Sequence, residues 1–376
     1  MIKQKICIIG NGLTGLTTAL ILGRLNLNVH LIAAPYRRKK KDIRTTAISD
    51  SNYKNLINLI GKKYSKIFFK SKEIDLYKEY SEEIKHFMNL SNKDESLMFL
   101  FQKEILKKLI QKKINTYKNL KTYYKKVNKI DDVNNKVFFA NKKISYDAIF
   151  VCTGSNSEIV KNIFGDRFIE NKTNEIAFTS TVNHTSNIIN AKQFFLKEGP
   201  MAILPLNKNK FSFVWSVSSK FKNQNPTPLV SKKFKEILKF KNDFRISKIE
   251  YFPISFKFRS NFNKKNILVL GEGSYNVHPV AGQGFNLILR DVLYLNSKIN
   301  EYVKNGIQIK DSLFIDEYLQ QRKPENFLFG LGINFLNNFF KFNKITEPIK
   351  KVILQDINKL DFLKSLSLRV SNKGIF

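Results

Sequence analysis

The stretch KICIIGNGLTGLTTALILGRLNLNVHLIA, residues 5–33, decides the fold because it predicts a complete strand–helix–strand unit. The apolar run at 5–9 is typical of a buried strand, and residues 13–25 carry the apolar spacing of a helix. A second apolar run at 29–33 indicates another strand. A unit of this kind, about thirty residues long, is the usual frame of a dinucleotide-binding fold.

The turn between the first strand and the helix has the spacing Gly-x-Gly-x-x-Gly. Gly10 permits the tight turn, Gly12 lets the backbone approach a pyrophosphate at the helix N-terminus, and Gly15 lets the helix pack closely on the strand. The pattern is weak alone, but here it follows a strand and opens a helix. We therefore predict that Gly10, Gly12, Leu13, Thr14 and Gly15 bind a dinucleotide.

The second strand ends on Ala33, which departs from the usual pattern. An acidic residue at this place accepts hydrogen bonds from the adenosine ribose in dinucleotide-binding folds. Here Ala34 and Pro35 follow Ala33. We expect the ribose contact to be lost or supplied elsewhere, which would weaken the affinity without abolishing it.

The next part of the chain is predicted to be mainly helical. Helical segments extend to about Lys125, most clearly at 101–113. A small hairpin is indicated at 136–145, and a buried strand at 148–151 ends at Gly154.

The character of the sequence then changes to alternating, β-rich pieces. These pieces lie at 176–182, 201–205, 211–217 and 249–258. Their alternation predicts a separate antiparallel sheet domain. A short buried strand at 267–270, a helix at 284–295 and a mostly helical remainder from 311 complete the pattern.

The charge balance is strongly basic, with 65 Lys and Arg against 31 Asp and Glu and a net charge of +34. Two explanations stay open: attraction to an anionic membrane surface, or the joint inflation of Lys, Asn, Ile and Phe by an AT-rich genome. The lysines are spread along the chain and do not gather in a recognition helix. Nucleic acid is therefore not predicted as a partner.

Cys7 and Cys152 lie inside apolar runs and are interpreted as buried free thiols. The four histidines show no ligand spacing with each other or with cysteine, so no metal site is predicted. No leader pattern precedes the first strand, which favours a cytoplasmic location. The uncharged stretch 326–340 is too short and too polar to span a bilayer.

A second motif, GEGSYNVHPVAGQGFNLILRDV at 271–292, is long and specific. It resembles the segment of the ubiquinone-biosynthesis FAD-dependent hydroxylases, the 2-polyprenyl-6-methoxyphenol hydroxylase-like aromatic monooxygenases. In that segment Gly-Asp is followed by His-Pro, Ala-Gly-Gln-Gly, Asn-Leu and Arg-Asp. Further landmarks agree in order along essentially the whole chain: residues 42–49, 146–157 and 198–206, Val214 with Trp215, and Tyr318 with Arg322.

The resemblance implies a fold and a division of the chain. The fold is α/β: a glutathione-reductase-like FAD-binding domain with a parallel sheet, and an inserted antiparallel-sheet substrate domain, together the aromatic-hydroxylase architecture. We expect a discontinuous FAD-binding domain at 1–165 and 266–325, a substrate sheet domain at 166–265 and a C-terminal helical segment at 326–376.

The resemblance and the chemistry of a flavin site together extend the cofactor-binding set. Glu272 can accept hydrogen bonds from the ribityl chain, Arg44 can meet the pyrophosphate, and backbone N–H groups at the start of the 284–295 helix favour negative charge on the flavin. The added residues are Arg44, Gln102, Thr153, Gly154, Gly271, Glu272, Pro279, Gly282, Gln283, Gly284, Phe285 and Asn286.

Several of these assignments keep an alternative. His278 and Val280 are assigned to the substrate pocket, although His278 could equally fix its own turn. Gln102 could equally be a solvated helix residue. The family carries Asp where this chain has Thr153 and Glu272, so we also expect these departures to bear on activity.

The implied reaction is hydroxylation of the aromatic ring of a polyprenylated phenol in ubiquinone biosynthesis through a flavin C4a-hydroperoxide. It uses FAD, NAD(P)H and O2, the chemistry of class EC 1.14.13, and needs no catalytic protein nucleophile or metal. Expected partners are other ubiquinone-biosynthesis proteins and an anionic surface at the inner membrane. Two alternatives stay open: a degenerate homologue acting as a scaffold, and different flavin chemistry such as halogenation or prenyl-chain reduction.

Overall fold

The computed structural model describes residues 4–35, 44–80, 83–91, 96–171, 174–240, 244–278 and 282–341, with 346, 350, 365, 369, 370 and 372. The helices are α1 Leu13–Leu22, α2 Asp50–Ile60, α3 Lys103–Ile114, α4 Glu158–Phe164, α5 Pro226–Leu238, α6 Gly284–Lys304 and α7 Phe314–Phe340. The strands are β1 Lys5–Ile9, β2 Asn28–Ala33, β3 Thr45–Ser49, β4 Phe69–Ser71, β5 Glu73–Tyr80, β6 Glu83–Ser91, β7 Met98–Gln102, β8 Leu120–Tyr124, β9 Val127–Asp131, β10 Lys136–Phe139, β11 Lys142–Ser145, β12 Ala148–Val151, β13 Phe168–Asn171, β14 Glu175–His184, β15 Ala191–Leu196, β16 Gly199–Asn207, β17 Lys210–Ser218, β18 Phe244–Ile246, β19 Glu250–Pro253, β20 Phe256–Arg259, β21 Asn263–Lys264, β22 Ile267–Val269 and β23 Tyr275–Asn276.

A six-stranded sheet in the order β21-β22-β12-β1-β2-β8 forms one half of the fold. All its neighbours pair in parallel except the short edge strand β21. Strands β12 and β22 are buried at every position, as expected for a parallel sheet covered on both faces. Strands β1 and β2 pair in parallel and are joined by α1, so the predicted strand–helix–strand unit is confirmed. Helix α1 also packs against α3 and α6.

A second sheet has eight strands in the order β18-β14-β17-β16-β15-β5-β6, with β19 also paired to β14. Its pairs are antiparallel except for β5 and β15, which run parallel. Helix α5 covers this sheet, and Phe234 meets Phe211 and Phe213 edge-on with ring centroids 5.6 and 5.1 Å apart. The fold class, a parallel sheet with a separate and mainly antiparallel sheet, is thereby confirmed.

The prediction that the chain is helical as far as about Lys125 is wrong over much of its length. Strands β4 to β7 occupy 69–102, and β8 ends at Tyr124, while α3 is close to the clearest predicted helix. The segment is rich in Glu and Lys, which favour helices, and this composition hid the two-residue alternation of apolar residues in β5 and β6.

The strand pairing of β5 and β6 is relevant to the predicted domain limits but does not test them. Strands β5 and β6 fall within 1–165, yet they complete the eight-stranded sheet. Helix α7 runs through the boundary placed between 325 and 326. The domain limits therefore stay a prediction. None of the helices in the described ranges is long and apolar enough to cross a membrane.

Candidate active site

The turn between β1 and α1 is built so that only glycine fits at two positions. Gly10 has φ of 119°, and a Cβ there would lie 2.4 Å from the carbonyl oxygen of Cys152. A Cβ on Gly15 would lie 2.0 Å from the carbonyl oxygen of Gly10. Both distances are far below van der Waals contact. The turn therefore holds α1 tightly against β1 and β12, with the N-terminal N–H groups of α1 directed away from the sheet.

One large cavity, about 2270 Å³ in volume, begins at this turn. It passes between the parallel sheet and α6 and continues onto the eight-stranded sheet. Most of the residues predicted from sequence lie on its wall. Those residues are Gly10, Gly12, Leu13, Thr14, Arg44, Thr153, Gly154, Glu272, His278, Gly282, Gln283, Gly284, Phe285 and Asn286.

The remaining predicted residues lie elsewhere. Gly15 is buried behind the turn, and Gly271 packs against the side chain of Thr14, so both support the wall from behind. Gln102 precedes α3 and pairs with Thr45, and it is not among the residues that line the cavity. Pro279 and Val280 lie outside the described residues.

Two side chains of opposite charge stand near the glycine turn. Glu272 follows β22, is exposed to the cavity, and makes no hydrogen bond or ion pair with any described residue. Arg44 lies at the start of β3, and its carbonyl oxygen accepts a hydrogen bond from the Lys103 N–H at 3.2 Å. A carboxylate facing open space suits a polyol, and a guanidinium suits a phosphate.

The start of α6 is fixed by the side chain of Asn286. Its Oδ1 accepts hydrogen bonds from the Ser49 N–H at 2.9 Å and from Asn52 Nδ2 at 2.8 Å, while its Nδ2 donates to Gln283 Oε1 at 3.1 Å. Asn286 is therefore engaged by α2 and β3, and its amide is part of the frame. The free N–H groups of the first helical turn remain on the cavity wall.

Thr153 has a similar supporting contact. Its hydroxyl donates to Ser157 Oγ at 2.6 Å, and Ser157 in turn caps the N-terminus of α4. Gly154 follows with φ of 85° and lines the cavity. The hydroxyl at this position thus organises the loop after β12.

His278 lies where the two sheets and α7 meet. Its Nε2 is 3.2 Å from Glu175 Oε2 at the start of β14, and Lys341, just after α7, is 2.9 Å from Glu175 Oε1. Burial would raise the pKa of Glu175, but hydrogen bonds from His278 and Lys341 outweigh it and hold that pKa below its usual value. The sequence did not predict these contacts, because the three residues are far apart along the polypeptide.

The end of the cavity beside β2 is basic. Ala33 is buried and Ala34 lines the cavity, as do Lys125 and Lys126 immediately after β8. Strand β8 pairs in parallel with β2, with Tyr124 opposite Ala33, so the two strand ends share one edge of the sheet. Lysines thus stand beside the place where an acidic residue was expected. They were missed because β8 was not recognised as a strand.

The opposite end of the cavity is an apolar arm, and the sequence did not predict it. The cross-strand pairs Ile74–Leu90 and Leu76–Met88 face it from β5 and β6. Additional apolar residues come from the rest of the sheet and from α7: Phe195, Ala202, Leu204, Val214, Phe335, Leu336, Phe339 and Phe340. The alternation in β5 and β6 was the available signal.

These features fit a dinucleotide at one end of the cavity. The glycine turn, the free helix N-termini and Arg44 suit a pyrophosphate, and Glu272 suits a hydroxylated linker. Within the described part of the chain, no three His, Cys, Asp or Glu residues are grouped to hold a metal ion. The cavity is polar at the end beside the glycine turn and apolar at the other.

A protein-family model matches the part of the chain that contains the glycine turn. The model of the family described as pyridine nucleotide-disulphide oxidoreductase matches residues 4–200, more than half of the 376 residues. The chain belongs to that family. The resemblance to the ubiquinone-biosynthesis FAD-dependent hydroxylases is confirmed by the curated relatives.

Those relatives share between a fifth and a third of their aligned residues with this chain. Identity is 28% over 218 residues with the mitochondrial ubiquinone biosynthesis monooxygenase COQ6 of Dictyostelium discoideum, covering 48% of this chain and 43% of that protein. It is 23% over 263 residues with COQ6 of Xenopus tropicalis, covering 58% and 56%. It is 29% over 161 residues with the ubiquinone hydroxylase UbiL of Rhodospirillum rubrum, covering 41% and 37%. The chain spans about half the length of the curated relatives it matches.

Solved structures agree with the fold. The p-nitrophenol 4-monooxygenase PnpA of Pseudomonas putida superposes with a TM-score of 0.82 and 15% identity over 100% of this chain and 99% of that chain. A Diels-Alderase, PyrE3, superposes with a TM-score of 0.74 and 12% identity over 98% and 80%. The aromatic-monooxygenase architecture is therefore shown. Because a Diels-Alderase shares it, the fold alone does not fix the reaction.

Proposed function

We propose that this chain is an FAD-dependent monooxygenase that hydroxylates the aromatic ring of a polyprenylated phenol in ubiquinone biosynthesis. The observation that carries the proposal is the single cavity joining the Gly10–Gly15 turn to the apolar arm. Its volume of about 2270 Å³ exceeds the roughly 300–1,000 Å³ of an ordinary ligand pocket. That space accommodates a dinucleotide together with a long apolar ligand, and the names of the curated relatives supply the pathway.

Bound FAD would supply the redox chemistry, because flavins accept hydride from NAD(P)H and activate O2 for transfer to an electron-rich ring. The chain itself binds and orients. N–H groups at the start of α1 and the Arg44 guanidinium would hold the pyrophosphate, and Glu272 would accept hydrogen bonds from the ribityl hydroxyls. The first N–H groups of α6, at Gly284 and Phe285, would stabilise negative charge on the flavin.

The apolar arm would exclude water from the reacting ring and receive the polyprenyl tail. Its wall is formed by Leu76, Met88 and Phe195 on the sheet and by Phe339 on α7. His278 lines the same cavity and would stand beside the ring that is to be hydroxylated. NAD(P)H as the electron donor, other ubiquinone-biosynthesis proteins as partners, and a cytoplasmic site at the inner membrane complete the proposal.

The scaffold alternative has one observation in its favour. Strand β2 ends on Ala33 without a carboxylate, and Lys125 and Lys126 stand beside that end. A chain that had lost its cofactor could still hold its fold. Purified protein without a flavin absorbance band would favour this alternative, whereas FAD released into the filtrate after denaturation favours the enzyme.

The deciding experiment is a titration of the FAD-free protein with FAD. Glu272→Ala removes a charge-assisted hydrogen bond worth roughly 1.5–3 kcal/mol, so the affinity should fall by about one to two orders of magnitude. Glu272→Asp keeps the carboxylate and should stay within several-fold of the parent. Arg44→Ala should lose about as much as Glu272→Ala through the pyrophosphate.

Glu83→Ala is the matched control, because Glu83 is an exposed carboxylate paired with Lys85 and does not line the cavity. Its FAD affinity should equal that of the parent chain. If Glu272→Ala also binds FAD like the parent, Glu272 does not hold the ribityl chain. The proposed role of Glu272 is then wrong, whereas the scaffold becomes the better account only if the parent chain itself does not bind FAD.

A further inference from the structure

The exposed face of α7 changes its chemistry part-way along the helix. In the first half the exposed positions are Asp316, Gln320, Gln321 and Pro324. In the second half they are mainly apolar, and no charged residue occurs between 326 and 340. We call this second set the α7 stripe; it consists of Leu328, 47% exposed, Leu331, 39% exposed, Phe335, 69% exposed, and Leu336, 48% exposed. Leu328, Leu331 and Phe335 are spaced three and four residues apart, which places them along one face, and Leu336 adjoins Phe335 beside it.

The α7 stripe is continuous with the apolar arm of the cavity. Phe335 and Leu336 are exposed to solvent and also line the cavity. One turn further on, Phe340 stacks on Phe195 of the sheet with ring centroids 3.6 Å apart. An apolar molecule can therefore pass from the outer surface into the arm while remaining in contact with apolar side chains.

The charge of the chain indicates what covers the stripe. The net charge is +34, and residues 341–376 alone contain eight Lys and Arg against three Asp and Glu. A row of exposed Leu and Phe in a strongly basic chain suits an anionic bilayer, because its acyl chains would receive the apolar side chains and its headgroups would attract the basic residues. A second copy of this chain is disfavoured, because it would bring another +34 charge to the same surface.

We propose that the α7 stripe docks on an anionic phospholipid bilayer and that an apolar substrate enters the cavity from that bilayer past Phe335 and Leu336. The docking part of the proposal rests only on the α7 stripe and the charge of the chain, and not on the proposed function. The entry of substrate rests on the proposed function. Because the two parts are measured separately, failure of one is distinguishable from failure of the other.

The first experiment measures flotation of the full chain with vesicles of phosphatidylcholine, with and without phosphatidylglycerol. Leu328→Ser/Leu331→Ser removes two exposed leucines that do not line the cavity. The variant should lose about tenfold in affinity for the phosphatidylglycerol vesicles, because the two partly exposed leucines together contribute roughly one buried side chain. Binding of the parent chain should weaken as salt is raised and should be much weaker on neutral vesicles.

The matched control is Val133→Ser/Ile307→Ser, which removes two apolar residues, 65% and 40% exposed, away from α7 and from the cavity lining. It should bind vesicles like the parent chain. Equal binding by the stripe variant and the parent overturns the proposal, as does equal loss in both double variants. A parent dimer that becomes monomeric in the stripe variant, with unchanged vesicle binding, makes the stripe a contact between copies instead.

A second measurement guards against loss of folding in the double variant. Phe335→Trp places an indole on the stripe, while the one native tryptophan, Trp215, is fully buried. Brominated lipids should quench the new fluorescence, and Val133→Trp should not be quenched. Absence of quenching at 335 contradicts docking whether or not the protein turns over substrate.

Discussion

At the scale of the residue, two glycines of the same turn have different roles. We expect Gly15 to be needed for folding and Gly12 for binding FAD. A Cβ on Gly12 would meet no atom within 4 Å, whereas a Cβ on Gly15 would overlap the backbone of Gly10. Gly12→Ala should keep the free energy of unfolding of the FAD-free protein within about 1 kcal/mol and weaken FAD binding by intruding on the pyrophosphate. Gly15→Ala should lose roughly 1–3 kcal/mol or more of stability. Urea unfolding and FAD titration of both variants test this; equal behaviour of the two would contradict it.

His30 makes the stability of the parallel sheet depend on pH. Burial, reinforced by the charges of Lys5, Lys121 and Lys142, lowers the pKa of His30 from 6.5 to about 4. The folded chain therefore resists a proton that the unfolded chain accepts, so stability is complete above pH 6.5 and declines as the pH falls toward about 4. His30→Gln should flatten this part of the curve in urea unfolding measured from pH 7 to pH 4. If the unfolding free energy of His30→Gln falls with pH as steeply as that of the parent chain, other titratable groups cause the decline.

At the scale of the element, α6 and α7 are joined by a buried polar network. Arg322 Nε donates to Asp291 Oδ1 at 2.8 Å, Tyr275 donates to the other carboxylate oxygen at 2.5 Å, and Asn326 also donates to Asp291. Arg322→Met leaves the Asp291 carboxylate without its cation, so we expect a loss of about 3–5 kcal/mol in unfolding free energy.

Lys298 provides the comparison on the same two helices. It pairs with Glu301 and Glu317 near the surface, where water screens the charges. Lys298→Met should change the stability little in the same denaturant titration. If Arg322→Met and Lys298→Met lose similar amounts of unfolding free energy, burial does not make the Arg322 network more important for stability than the surface pairs of Lys298.

The sequence predicted those elements whose signal is local. Strand β1 was predicted at its observed limits, and helix α1 was predicted from its observed start at Leu13 to three residues past its observed end at Leu22, because apolar periodicity and the glycine turn suffice to locate them. Strands β5 and β6 were missed, since Glu and Lys obscure their alternation and β15, which pairs with β5, lies more than a hundred residues later. The motifs predicted residues that the structure brings together at the polar end of the cavity, and their role in binding a cofactor stays a prediction. The apolar arm, Lys125 with Lys126, and the contacts of His278 depend on tertiary packing, which no motif encodes.

At the scale of the whole molecule, the cavity couples cofactor binding to global stability. Its wall is drawn from the parallel sheet, the eight-stranded sheet, α6 and α7, so unfolding destroys the site. FAD at a hundred times its Kd should therefore stabilise the chain by about 2.7 kcal/mol. Thermal unfolding with and without FAD measures this. An unchanged Tm at saturating FAD would mean that the cofactor is not bound by the folded chain.

The parallel pairing of β5 with β15 has a consequence for the order of events during synthesis. The β5–β6 hairpin ends at Ser91, about a hundred residues before β15 at Ala191–Leu196, the strand that pairs with β5. During that interval one edge of the hairpin has no partner and its apolar face, with Leu76 and Met88, is uncovered. Such nascent chains are slow to fold and prone to aggregate, because a contact so distant in sequence carries a large loop-closure cost. Chaperone capture is therefore expected to be strongest before β15 emerges.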